Sequence, residues 1–228
     1  MSTILQFKIE LLEISPPIWR RIQVPGDYTF WDLHVAIQDA MGWTDTHLHA
    51  FEIDDPKKGP AEIGIPDGEG EMEVIPGWKR KLSKHFTVPG DHLVYEYDFG
   101  DSWRHSVLLE QVSLVEPGLT YPCCVGGDRK CPPEDCGGPP GFEVFLDAIS
   151  DPSSEEHEGL LEWCGGSYDP TDFDPRAVEF DDPKERLESL YEGRTFRFNR
   201  SFHQTKPLVT ARAGHGPRQS SLQVKPAL

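Results

Sequence analysis

Residues 122–141 gather five prolines, five glycines and four of the chain's five cysteines. No helix interior survives that proline density, because each proline removes a backbone donor and clashes with the preceding turn. No central strand survives it either, because the ladder needs the missing N–H groups. The segment is therefore expected to be an ordered loop, or one organised by a metal. The rest of the 228-residue chain must build a fold around it. Hydrophobic residues at 37% and aromatics at 11% suffice for a core. A chain of this length buries about 70–75% of its unfolded surface without covalent staples.

The flanking sequence switches between strand and helix periods. Residues 6–11 alternate polar and apolar side chains, as a half-buried strand does. Residues 18–24 form a second strand after Ser15-Pro16-Pro17, and the two should pair as a hairpin. Thr29 with Asp32 reads as an imperfect capping box, since Glu or Gln is usual at the second position. Leu33, Ile37, Ala40 and Met41 share one helical face, and Gly42 is a natural stop. Residues 47–53 read as a third strand. This strand-strand-helix-strand start, β-grasp-like in order, predicts an α+β fold with antiparallel hairpins. Residues 54–70 are rich in turn formers, and 78–85 read as a short helix. Residues 93–97 and 103–109 read as strands joined by the turn Asp98-Phe99-Gly100-Asp101, where Gly100 makes positive φ cheap. Short C-terminal helices should follow the Pro-Gly-Cys segment. They are marked by Phe142, Phe145, Leu146 and Ile149, by Leu160, Leu161 and Cys164, and by an Asp182-Pro183 start.

Charge divides the chain. Residues 193–228 hold seven of the 22 lysines and arginines and none of the 39 acidic residues. Residues 1–192 are left with 15 basic against 39 acidic side chains, a balance of −24. Such a body repels phosphate backbones. Residues 1–192 are thus expected to be one domain, and 193–228 a disordered basic tail able to reach nucleic acid or an acidic partner. No apolar run approaches the roughly 18 residues of a membrane span, and the N-terminus lacks a signal-peptide pattern. Both point to a cytoplasmic protein without a membrane partner. Five cysteines, an odd count, do not make a secreted disulfide framework.

Two groups of residues could carry chemistry. Cys124, Cys131 and Cys136 are spaced C-x₆-C and C-x₄-C, looser than the usual zinc knuckle, and a further donor such as Cys123 would complete a site. Packed free thiols are the alternative. His47 and His49, one residue apart on an expected strand, would share a face and could hold one metal, or could simply be solvated. His105 shares the Trp103 and Val107 face of its strand and reads as a semi-buried histidine with its hydrogen bonds met. A zinc site built from these histidines needs them within about 10 Å of a thiol or carboxylate, since zinc bonds are only about 2.0–2.3 Å long. Asp98-Phe99-Gly100 spells the kinase magnesium motif, but the Gly-rich loop, H-R-D and A-P-E are missing, so it is a turn. Asp169, Asp172 and Asp174 crowd a short segment, where Asp174 before Pro175 reads as a helix cap. No nucleophile elbow, H-E-x-x-H, P-loop or dinucleotide motif occurs.

Residues 14–21, Ile-Ser-Pro-Pro-Ile-Trp-Arg-Arg, then 30–43 leading to His47-Leu48-His49-Ala50-Phe51, resemble the opening of the plasmid pRiA4b ORF-3-like family. Residues 95–105 resemble its central hairpin, 131–138 with Gly141-Phe142 its third motif, and Tyr168-Asp169-Pro170 with Phe173-Asp174 its last. The match runs in order from about residue 4 to residue 191 and leaves the tail outside. It implies an α+β fold in a plasmid-borne, mobile-element-associated group of bacteria and archaea, some members of which carry transposon-passenger or resolvase-like labels. A serine resolvase needs a nucleophilic serine and clustered arginines in a basic domain, which this acidic body does not offer. In relatives Cys131 and Cys136 give way to other residues, so the resemblance implies that zinc on these thiols would belong to this branch alone.

These readings converge on a non-enzymatic binding module. Its surface would lie between the Asp98–Asp101 turn and the loop carrying Glu134 and Asp135, with His105 nearby and Trp43 and Trp103 as exposed anchors. The expected partner is a protein, or nucleic acid through residues 193–228. The alternative is a metal-dependent, zinc-holding and hydrolytic site drawing on His47, His49 and the acidic or cysteine loop.

Overall fold

The computed structural model describes residues 3–55, 59–66 and 74–192. Among them, eight strands form one sheet: β1 (Thr3–Leu11), β2 (Trp19–Pro25), β3 (His49–Asp55), β4 (Gly59–Gly64), β5 (Val74–Pro76), β6 (His92–Tyr97), β7 (Trp103–Leu114) and β8 (Cys123–Asp128). Their order is β5-β4-β3-β6-β7-β1-β2-β8, antiparallel except for β4 with β5. Four helices join it: α1 (Phe30–Met41), α2 (Gly138–Ser150), α3 (His157–Trp163) and α4 (Pro183–Glu192). The architecture is α+β, and the strand-strand-helix-strand start is as the sequence predicts. β3 lies apart from β1, however, with β6 and β7 between them.

Alternation explains the layering. β1 and β7 bury every second side chain, so Phe7, Ile9, Trp103, His105, Val107 and Leu109 face the core while their neighbours face water. The long helix covers that buried face. Thr29 accepts from the Asp32 amide while the Asp32 side chain accepts from the Thr29 N–H, a complete capping box despite the aspartate, and Gly42 ends the helix in the left-handed region. On the solvated face, Arg21 grips Glu110 with two hydrogen bonds of 2.6 and 2.9 Å. Glu110 reaches it because the register steps from Gln6↔Gln111 to Phe7↔Leu109, leaving Glu110 as the extra residue of a bulge.

Several sequence expectations are corrected. The turn-rich stretch after β3 contains β4. The helix expected at 78–85 is two short 3-10 turns, Gly77–Lys79 and Leu82–Lys84. In the β6–β7 turn the left-handed residues are Asp98 and Ser102, not Gly100. The Pro-Gly-Cys segment is not wholly loop. Its front is the edge strand β8, which holds none of the segment's prolines, and its last glycines and prolines open α2, where missing N–H groups cost nothing. The tail at 193–228 lies outside the described residues. Among the described residues, no helix is long and apolar enough to cross a membrane.

Candidate metal centre

The sheet brings distant segments to one end. His49 pairs with Tyr97, so the residues just before β3 and just after β6 are neighbours. The loop between β8 and α2 crosses the same end and is pinned at four points. Trp43 donates its indole N–H to the Pro132 carbonyl at 3.0 Å. The Thr44 amide donates to Glu134 at 3.0 Å, and the Tyr97 hydroxyl donates to the same carboxylate at 2.5 Å. The Gly137 amide donates to Asp101 at 3.0 Å. Next to it Gly138 has φ +68, and a Cβ there would stand 2.2 Å from the Asp101 carbonyl oxygen, so the approach requires glycine.

This end of the sheet assembles His47, Asp98 and Asp135. His47 Nε2 lies 3.1 Å from Asp135 Oδ1 and 3.7 Å from Asp98 Oδ2. Two zinc bonds of about 2.0–2.2 Å at a tetrahedral angle would put their donors roughly 3.3–3.5 Å apart, between those two values. Asp98 Oδ1 is occupied by the Gly100 amide at 2.9 Å, which leaves Oδ2 to face the histidine. His47 Nε2 is shielded from solvent and makes no hydrogen bond among the described residues, its contacts with Asp135 and Asp98 being ion-pair approaches. Asp98 and Asp135 both sit at positive φ, 57° and 59°, a region aspartate tolerates better than most residues.

A second group lies deeper. His34 Nε2 is 2.8 Å from Asp45 Oδ1, and His34 Nδ1 is 2.8 Å from the Tyr95 hydroxyl. Gln38 donates to the same hydroxyl at 3.0 Å. His49 stacks on His34 with ring centroids 3.4 Å apart and planes within 10°. It is 2% exposed, and neither ring nitrogen has a hydrogen-bond partner among the described residues. Burial, then the neighbouring His34, push its pKa well below the ordinary imidazole value. The solvated-face reading of His49 is therefore wrong: β3 begins at His49 and turns it inward, while His47 sits outside the strand. The sequence reading passed over His34, Asp45 and Tyr95. His34 and Gln38 did carry a signal, being polar residues four apart within a helix whose other side chains are mostly apolar.

The remaining expected residues divide. Asp101, Glu134 and Asp135 do meet at the loop. Trp43, Trp103 and His105 lie near them but are 6%, 1% and 0% exposed, so they are core side chains and not surface anchors. Trp43 stacks on Tyr97 and meets His105 edge-on, and the neighbouring Trp103 N–H is buried without a partner among the described residues. His105 is wholly buried, its Nδ1 3.3 Å from the Tyr95 carbonyl and its Nε2 unpartnered among the described residues. Cys131 is buried, and Cys124 and Cys136 are half-buried. Burial raises the Cys124 thiol and pushes that of Cys136 up to about 12, so both are protonated thiols here and not reactive thiolates. Among the described residues, no cysteine joins a group of three close donors, and the histidines meet carboxylates instead. Asp169 and Asp174 cap their own turns by accepting from the Thr171 and Arg176 amides.

The relatives share the sequence pattern and the fold without naming a function. The plasmid pRiA4b ORF-3-like protein family matches residues 3–177. The uncharacterised protein y4hQ of Sinorhizobium fredii is 34% identical over 191 residues, covering 83% of this chain and 93% of its own. The crystal structure of MM3350, a protein of unknown function from Methanosarcina mazei Go1, superposes with a TM-score of 0.71 at 43% identity, over 79% of this chain and 99% of its own. With the family model spanning the residues of both histidine clusters and of the loop beside His47, the chain belongs to the plasmid pRiA4b ORF-3-like family.

Proposed function

We propose that the protein is a binding module whose ligand-facing group is a divalent metal ion held by His47, Asp98 and Asp135. The observation that carries this reading is the convergence of three donors from three separate segments within 4.8 Å of one another, around a shielded His47 Nε2 that makes no hydrogen bond among the described residues. One imidazole and two carboxylates suit zinc, manganese or ferrous iron better than calcium. Three protein donors leave positions for water or for a partner's own donor group, as catalytic zinc sites do. A zinc-bound water is acidic enough to attack an ester at neutral pH, which is the hydrolytic version of the same reading. The test is elemental analysis of protein purified without chelator or histidine tag. One equivalent of metal lost in His47→Ala and Asp98→Asn supports it; unchanged content in both refutes it. Hydrolysis of model esters and phosphodiesters by the loaded protein separates an enzyme from a binder.

The second reading is direct recognition of a protein or basic ligand by the carboxylates of the same loop, favoured by the −24 balance of residues 1–192. Nucleic acid enters only through the basic tail. Loss of DNA retention when residues 193–228 are deleted would support that variant, and unchanged retention would exclude it.

A further inference from the structure

We infer that His34, Asp45 and His49 form a second, buried site for a transition-metal ion, separate from the open one. Their donor atoms lie within 4.8 Å of one another. The observation that asks for a ligand is His49. A buried imidazole with both nitrogens unpartnered among the described residues forgoes the hydrogen bonds it would make in water, and such groups in native cores usually have a water or ion to answer them. Two imidazoles and one carboxylate select zinc, cobalt or ferrous iron over calcium and magnesium.

The surrounding hydrogen bonds support an exchange of proton for metal. Without an ion, Gln38 donates to Tyr95, the Tyr95 hydroxyl donates to His34 Nδ1, and His34 Nε2–H donates to Asp45. Gln38 Oε1 is then a buried acceptor with no donor among the described residues. Turning the Gln38 amide over reverses the chain. Tyr95 donates to Gln38 Oε1, and its oxygen accepts from His34 Nδ1–H. The proton has moved from Nε2 to Nδ1 of His34, and the Nε2 lone pair is free for an ion shared with Asp45. No proton leaves the protein, because one neutral tautomer replaces another. Metal-ligating histidines ordinarily donate the outer ring N–H to an oxygen acceptor that fixes the ring, and the Tyr95 oxygen fills that place here. Coordination by both rings requires their stacked planes to splay, so the stacking contact is exchanged for two metal–nitrogen bonds.

The experiment is titration of metal-free protein with cobalt(II), followed by visible absorption, and with zinc, followed by metal content. The wild type should take two equivalents. His47→Ala should remove one, and Asp45→Asn or His49→Gln the other. A content that His47→Ala lowers and both Asp45→Asn and His49→Gln leave unchanged overturns the buried site and keeps the open one. The reverse pattern overturns the open site and keeps this one. Asp45 lies at the edge of the cluster, so Asp45→Asn should fold even where His49→Gln does not. As a check without mutation, zinc should move the ¹⁵N shift of His34 Nε2 and exchange the tautomer. An unmoved His34 signal in zinc-saturated wild type overturns the assignment.

Discussion

Trp43 and Pro132, 89 residues apart, are joined by the indole N–H of one and the carbonyl of the other at 3.0 Å. A proline-rich loop has few N–H groups with which to satisfy its own carbonyls, so it must borrow donors from the body it lies on. Trp43→Phe keeps most of the ring contact with Tyr97 and removes only the donor. The unpaired Pro132 carbonyl should cost about 1–2 kcal/mol. Trp43→Ala removes the ring as well and should cost about 3–5 kcal/mol. Urea midpoints of the two variants check the order.

Glu134 is another of the loop's anchors, accepting from the Thr44 amide and hydroxyl and from the Tyr97 hydroxyl. Asp135 follows it directly, so the carboxylate proposed to ligate metal is positioned by one that does not. Glu134→Ala should free the loop at residues 129–137, seen as faster proteolytic cleavage there. It should also weaken metal binding at the open site about 10–100-fold, the usual cost of losing an outer-sphere support. Unchanged affinity with a cleavable loop would separate Asp135 from the site.

Arg20 is 2% exposed, and its guanidinium is spent on backbone carbonyls: Nε on Ala40 at 2.8 Å, and Nη1 on Trp19 at 2.9 Å and Asp128 at 3.1 Å. Phe173 lies over it at 3.7 Å, a position open only because Gly127 has no Cβ. Arg20→Ala leaves these carbonyls unanswered and should cost about 3–5 kcal/mol. Arg20→Lys keeps the charge without the planar fork and should recover less than half of that. Thermal denaturation of the pair measures the difference.

The parts of this molecule legible in the sequence are those governed by local rules. The capping box at Thr29, the stop at Gly42 and the alternation in β1 and β7 each depend on residues within a few positions of one another. The grouping of the Asp98 turn with Glu134 and Asp135 is only an expectation of the binding-surface reading, and it is the fold that sets Asp98 and Asp135 beside His47. What stayed hidden depends on sheet order. Nothing local says that β6 and β7 insert between β1 and β3. That insertion turns His49 inward and buries Trp103 and His105 in the core. Tyr95 gave no signal because its partners on α1, His34 and Gln38, lie 61 and 57 residues away, and Asp45, 11 residues from His34, gave none because it lies beyond the end of α1, outside the helical period. For the cysteines, local spacing left metal and packed thiols both open, and the fold places them as free, buried or half-buried thiols.

His105 gives the pH prediction. Burial lowers its pKa to about 4, while in the unfolded chain it titrates near its ordinary value of 6.5. Below pH 6.5 the unfolded state therefore takes a proton that the folded state refuses, and stability falls as pH drops from about 6.5 to about 4. At about 1.36 kcal/mol per unit, the loss from this group reaches the order of 3 kcal/mol. Glu110, held below its ordinary value chiefly by its hydrogen bonds to Arg21, also loses stability on acidification. Its contribution is present above the unfolded carboxylate pKa, about 4.3, and is lost only below it. The window between pH 4.5 and 6.5 therefore belongs to buried histidine. Stability measured by urea unfolding across that window should slope upward with pH, and His105→Asn should flatten the slope by about 1.4 kcal/mol per pH unit. An unaltered slope in that variant would mean that His105 is protonated in the fold, and that its unpartnered Nε2 has a partner after all.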